Sequence, residues 1–198
     1  LKVGEKPEKW NITHPEIINE IHKSYYENGS NADSTNTFGA NSLKFKNVNE
    51  IITKAVEITK NTIKESGKNA FVTLDIGPLG KLLKPYGDLE FETAYDLYKE
   101  QVIAGKNAGA DLILIETMND LYETKAAVLG AKENSNLPIF VTNAYDKSGK
   151  LMTGASPEAV CATLEGLRVD AIGMNCSFGP VDMLPILERL LKVSSTPV

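Results

Sequence analysis

The sequence predicts an α/β protein in which helices alternate with parallel strands. Four clear apolar runs begin at about positions 70, 110, 138 and 169, and stretches with helical spacing lie between them. These intervals match ordinary strand-plus-helix units with right-handed crossovers. No Gly-x-Gly-x-x-Gly follows any of the runs. The dinucleotide-binding signature of an open sheet is therefore missing, and the closed eight-stranded (β/α)8 TIM barrel is the favoured form of the fold.

Two helices are predicted before the first clear strand. The first begins at Thr13, where Thr13 and Glu16 are spaced for a capping box, and it ends near Gly29. The second covers about 47–66, with Gly67 in the terminating position. Both stretches carry apolar residues at helical spacing, which indicates one buried face on each.

The rest of the chain repeats a strand-then-helix order. Bounding glycines and prolines, strand-forming residues and helical spacing define these elements. The predicted strands are 70–76, 110–115, 138–142 and 169–173, and the predicted helices are 90–107, 121–133, one capped by Ser156, and 181–193.

Length and composition indicate one globular domain, or most of one, over 1–198. The 198 residues are 42% hydrophobic and 24% charged, which is enough to bury a core. The net charge is -5 and the sequence contains no run of basic residues, so nucleic acid is not an expected partner. Apolar stretches are strand-sized and no leader segment is recognisable, so we expect no membrane span and a cytoplasmic location. Two cysteines form no disulfide framework.

Polar side chains stand where the apolar runs end. Parallel strands bring their carboxyl ends to one edge of a sheet or one rim of a barrel, where functional residues of α/β proteins collect. Any single residue of this kind is often only a cap or turn residue. The candidates are Asp75, Glu116, Asn143, Asn175 with Cys176, and Thr35 with Asn36 in an earlier, weakly apolar segment.

Glu116 is the candidate that is hardest to explain as a turn residue. It directly follows an apolar run, and burying an unpaired carboxylate there costs several kcal/mol. The only two arginines, Arg168 and Arg189, lie around helices. A ligand ammonium or clustered amide donors are therefore candidate partners for Glu116 and for Asp75.

Cys176 has two interpretations. A lone cysteine at a strand end is most often a small buried hydrophobe. A catalytic zinc ligand would need company, because such sites take about three protein ligands, and neither His14 nor His22 is spaced to supply them. Cys161 lies on the apolar side of a predicted helix and is assigned a structural role.

Several short segments, taken in this order, resemble the homocysteine S-methyltransferase family, most closely the amino-terminal homocysteine-binding modules of cobalamin-dependent methionine synthases. The resemblance covers essentially the whole chain and implies a (β/α)8 barrel of which strands two to six are present. The segments are Pro7-Glu-x-Trp10-Asn11, 21–25, Thr35-Asn-Thr-Phe-Gly-Ala-Asn41, Asp75-Ile-Gly-Pro78, Ile115-Glu-Thr-Met118, Thr153-Gly-x-Ser-Pro-Glu158 and Gly173-Met-Asn-Cys-Ser-Phe-Gly-Pro180.

The resemblance also implies a site. In the family three cysteines hold zinc, and zinc holds the homocysteine sulfur; Cys176 matches the first, and no match to the other two lies in these residues. Glu116 matches an acidic residue that helps to hold the homocysteine amino group. Lys6 stands where the family often has a cysteine that is not a zinc ligand. The positions that match strand ends lining the same cavity are Asn36, Asp75, Asn143 and Asn175.

The implied reaction is attack of a zinc-bound homocysteine thiolate on methylcobalamin, with the folate and cobalamin modules outside this segment. Three alternatives remain open. The methyl donor could instead be a betaine or S-methylmethionine. The chain by itself could be a non-catalytic fragment that self-associates through exposed strand edges. An aldolase-type lyase would need a Schiff-base lysine at a strand end, and none of the four clear strands ends in one.

Overall fold

The computed structural model of the protein describes Leu1 and residues 3–198. Its centre is one sheet of five strands, each paired in parallel with its neighbours. The strands follow one another across the sheet in chain order. They are β1 (Ala32–Ser34), β2 (Phe71–Ile76), β3 (Leu112–Met118), β4 (Ile139–Asn143) and β5 (Ala171–Met174).

Helices connect the strands. A short 3-10 turn, Pro7–Lys9, leads into the first of them. The helices are α1 (Trp10–Thr13), α2 (Pro15–Glu27), α3 (Val48–Ser66), α4 (Phe91–Ala108), α5 (Leu121–Asn134), α6 (Pro157–Gly166) and α7 (Pro180–Val193). Among the described residues, no helix has the length and apolar character required to cross a membrane.

The strand order supports the barrel over the open doubly wound sheet. A doubly wound sheet reverses its strand order at a switch point, whereas successive barrel strands lie side by side. Here the order β1 to β5 contains no reversal. The predicted α/β class is confirmed, with an arc of five strands that is consistent with an incomplete barrel.

The structure corrects two details of the sequence prediction. The expected capping box is wrong: α2 begins at Pro15, and the Thr13 hydroxyl bonds to Lys9 O and His14 Nδ1 instead. Proline is favoured in the first turn because it lacks an N–H that needs a partner. Strand β3 continues to Met118, so Glu116 lies inside a strand and not after one.

The core lies between the sheet and its helices. Val72, Leu74 and Ile76 alternate along β2 and are almost fully buried. On the opposite face Phe71 and Phe140 remain 53% and 38% exposed. The helix-covered face therefore supplies most of the burial.

Gly105 provides a test of this packing. A Cβ at Gly105 in α4 would lie 2.4 Å from Leu74 Cδ2, so the helix packs directly on the strand there. We expect Gly105→Ala to lower the free energy of unfolding by about 1–3 kcal/mol through overpacking. The matched control is Gly166→Ala, where a Cβ meets nothing within 4 Å. Equal unfolding midpoints for the two variants in a urea titration would contradict the close approach.

Candidate functional site

The carboxyl ends of β2 to β5 form one rim. Register aligns Ile76 with Ile115, Met118 with Asn143, and Asn143 with Met174. The polar candidates predicted on separate strands therefore come to the same end of the sheet. Their side chains then take different directions.

Asp75 and Glu116 form a pair of carboxyl groups at this rim. Asp75 is only 7% exposed, and its Oδ1 is buried without a hydrogen-bond partner among the described residues. Burial, and then the neighbouring charge of Glu116, raise the pKa of Asp75 to about 8. Two carboxyl groups that share a site resist ionising together. Near neutral pH the pair therefore retains a proton.

Among the described residues, the Lys and Arg ion pairs include neither member of this carboxyl pair. A third acid, Glu8, is buried nearby, where its Oε1 accepts the Gly39 N–H at 2.7 Å. Its negative charge also raises the pKa of Asp75. The site is thus a cluster of acidic side chains suited to a cationic group.

Asn175 joins Glu116 to the end of β5. Its Nδ2 donates to Glu116 Oε1 at 3.2 Å and to Thr117 Oγ1 at 2.8 Å. The same nitrogen lies 3.5 Å from Cys176 Sγ. Asn175 Oδ1 is buried and has no partner among the described residues. The amide therefore holds Glu116 in place and leaves a carbonyl oxygen as a free acceptor.

Thr117 gives the rim its local shape. Its φ of 59° is in the left-handed region, and the β3 to β4 register shifts between Ile115 and Met118. A β-branched residue is strained in this conformation, and such strain tends to collect at functional sites. The Thr117 N–H donates to Thr142 Oγ1 at 3.2 Å. Glu116 lies within this bulge, and its carboxyl accepts from Asn175 Nδ2.

Two of the predicted cavity-lining residues are engaged elsewhere. Asn143 is fully buried on the helix side of β4, where Nδ2 donates to Met118 O at 3.2 Å. Asn36 Nδ2 donates to Pro7 O and to Asn11 Oδ1, both at 2.9 Å. These side chains fasten backbone segments, and their predicted contact with a substrate stays a prediction.

Cys176 is an exposed free thiol, whereas Cys161 is buried in the core. The described residues contain no group of three or more His, Cys, Asp or Glu side chains placed to hold a metal ion. A catalytic zinc takes about three protein ligands. Cys176 by itself does not meet that requirement, so the described side chains would hold zinc only together with further ligands.

Three contributors were not singled out from the sequence. They are Glu8, Thr117 and Thr37, whose hydroxyl donates to Asp75 O at 2.6 Å. Each lies within one of the segments that resemble the family, without standing out by residue type. For Glu8 a usable signal was present, because the residue follows Pro7 in a motif shared with the resembling family. For Thr37 and Thr117 the signal is conformational and is not visible in the sequence.

Comparison with known proteins gives a consistent result. A family model described as homocysteine S-methyltransferase matches residues 4–198. A methionine synthase of Mycobacterium tuberculosis is 32% identical over 202 residues, which covers 95% of this chain and 17% of that protein. A methionine synthase of Mycobacterium leprae is 31% identical over the same shares. The chain thus spans about a sixth of the length of these curated relatives.

Solved structures resemble the fold. The metallated form of the homocysteine methyltransferase MmuM from Escherichia coli matches with a TM-score of 0.85 at 21% identity, over 98% of this chain and 75% of that one. The apo form matches with a TM-score of 0.81 at 24% identity, over 97% and 73%. The arc of five strands therefore corresponds to part of a barrel of this type.

The carboxyl pair predicts an unusual dependence of stability on pH. The pKa of Asp75 is about 8 in the folded chain against 3.8 ordinarily, so the folded state binds the extra proton between these values. Stability therefore falls as pH rises through that window. We expect Asp75→Asn to remove most of this decline and to stabilise the protein at pH 8 by about 1–3 kcal/mol.

Urea unfolding at pH 5 and pH 8 measures this effect. The matched control is Asp88→Asn, which removes a carboxylate that is 80% exposed and should leave the decline unchanged. A decline that is as steep in Asp75→Asn as in the unmodified protein would contradict the assigned pKa.

Proposed function

This chain belongs to the homocysteine S-methyltransferase family, and on that premise we propose that it binds homocysteine and presents its thiol for methylation to methionine. The proposed setting is a cobalamin-dependent methionine synthase, in which other modules carry methyltetrahydrofolate and methylcobalamin. A methionine synthase that is 32% identical, in an alignment covering 95% of this chain, supports this assignment.

The observation that carries the proposal is the carboxyl pair formed by Asp75 and Glu116. An amino acid brings an ammonium group, and that cation would replace the proton held between the two carboxyl groups. Asp75 could then ionise, because an opposite charge within a few ångströms lowers the pKa of an acid. The free Asn175 Oδ1 would offer the ammonium a further acceptor. Homocysteine thereby supplies the charge that the described side chains lack.

The thiol is the second requirement. A thiolate is the competent nucleophile, and a thiol of ordinary pKa is largely protonated at neutral pH. Zinc bound to the thiol would favour the anion. We propose Cys176 as one ligand of that zinc, with the remaining ligands outside the described residues. The contribution of this rim is to fix the amino-acid end of the substrate beside Cys176.

Glu116 provides a direct test of substrate binding. Glu116→Gln keeps the oxygen that accepts from Asn175 but removes the charge, so we expect homocysteine to bind about 10- to 100-fold more weakly. Isothermal titration calorimetry of the full-length protein measures this. Glu57→Gln, in an exposed ion pair with Lys54, is the control and should bind normally. Unchanged affinity in Glu116→Gln would exclude the carboxyl pair as the ammonium site.

Methyl transfer tests the reaction. We expect homocysteine-dependent demethylation of methylcobalamin by the full-length protein. Activity should fall at least 100-fold in Cys176→Ala and with a chelator, since even residues that only support a metal ligand are worth roughly 10- to 100-fold. Cys161→Ala is the cysteine control and should stay active.

The other outcomes of this assay are equally informative. Turnover that neither treatment affects would reject the zinc assignment. Activity with a betaine or S-methylmethionine, but not with methylcobalamin, would move the protein to the alternative donors. Absence of homocysteine binding and of turnover in the unmodified protein would reject the proposed function.

A further inference from the structure

We propose that Thr37 is a positioning residue for Asp75, acting through a closed chain of hydroxyl hydrogen bonds that also includes Thr35. This inference rests on the proposed homocysteine site and extends it to two side chains that need not touch the substrate. It concerns the segment that follows β1.

The chain of hydrogen bonds is short and buried. The Asp75 N–H donates to Thr35 Oγ1 at 3.2 Å. Thr35 Oγ1 and Thr37 Oγ1 are 2.7 Å apart, and Thr37 Oγ1 donates to Asp75 O at 2.6 Å. Both threonines are 1% exposed. The three contacts together enclose both backbone polar groups of Asp75.

The direction of each bond follows from chemistry. A carbonyl oxygen can only accept, so the Thr37 hydroxyl must donate its proton to Asp75 O. The Thr37 oxygen can then only accept from Thr35, so the Thr35 hydroxyl must donate to it. Thr35 in turn accepts the Asp75 N–H. Every proton in the chain is committed, and neither hydroxyl has one left to donate to a ligand.

These hydroxyls replace the missing end of a strand. The odd-numbered residues of β2 direct their backbone groups toward β1: the Phe71 N–H donates to Asn31 O, and Thr73 O accepts from Thr35 N–H. Strand β1 ends at Ser34, opposite Thr73. At Asp75, two positions farther on, no β1 backbone remains, and two buried backbone groups would lack partners without the threonines.

The next residues fasten the same segment. The Gly77 N–H donates to Phe38 O at 2.9 Å, and a Cβ at Gly77 would lie 2.6 Å from the Phe38 ring. The backbone is thus held both at Asp75 and two residues after it. The Asp75 side chain, with its unpartnered Oδ1, therefore extends toward Glu116 from a fixed backbone position.

Thr37→Val tests the role because valine keeps the shape and removes the hydroxyl. In calorimetric titrations of the full-length protein with L-homocysteine, we expect Thr37→Val to raise Kd about 5- to 30-fold and Thr37→Ser to change it less than about 2-fold. Thr37→Ala serves if the valine variant does not fold. Thr163→Val is the control, since Thr163 Oγ1 only donates to Ala159 O in α6.

A double-mutant cycle separates positioning from general stability. If Thr37 acts through Asp75, the Kd penalty of Thr37→Val should largely disappear in an Asp75→Asn background. If Thr37→Val raised the Kd by the same factor in both backgrounds, the inference would be overturned. A lower melting temperature in Thr37→Val with homocysteine affinity unchanged would also overturn it.

A second readout does not need the substrate. The expected decline of melting temperature with rising pH depends on Asp75 facing Glu116 and Glu8. A displaced Asp75 should therefore alter the slope of that decline in Thr37→Val but not in Thr37→Ser. If the unmodified protein binds no homocysteine, the proposed function fails, and this slope alone decides the inference. An identical slope in all three proteins overturns it.

Discussion

Parallel pairing in chain order is the constraint on which the rest of the structure depends. Because each strand runs in the same direction beside its predecessor, every chain segment that leaves the sheet does so at one rim. Helices cover one face and supply most of the buried apolar contacts, so the apolar core depends little on which side chains stand at the rim. Residues at the rim can therefore be chosen for chemistry, as in other barrels of this class.

The pair of carboxyl groups at this rim lowers the stability of the folded chain as pH rises. Asp75 and Glu116 are placed side by side, partly removed from water and without a cationic partner among the Lys and Arg ion pairs of the described residues. A neutral amide donor holds the Glu116 side chain, and hydroxyl groups hold the Asp75 backbone. A site that is incomplete in charge until its ligand arrives can select that ligand by charge. Preorganisation of this kind lowers the cost of binding, since little must be reordered.

Sequence reasoning predicted the helices and strands well, because apolar periodicity and Gly or Pro boundaries are local properties. The substrate contacts of the strand-end residues stay predictions. Glu116 was identifiable since a carboxylate after an apolar run needs a partner. The direction of Asn143 was not identifiable, because it depends on which strand face is covered. The capping box at Thr13 was lost to Pro15, which starts α2 by itself. The role of Thr37 depends on where β1 ends, which no single-sequence pattern reveals.

The left-handed backbone at Thr117 has a consequence for protein engineering. Glycine adopts a φ of 59° without the steric penalty that threonine bears, so a search for thermostable variants would select glycine there. That exchange would remove the hydroxyl that accepts from Asn175 and free the bulge to move. Variants selected for heat tolerance alone would thus tend to lose the arrangement of side chains at the rim. Position 117 should be held fixed when the rest of the barrel is optimised.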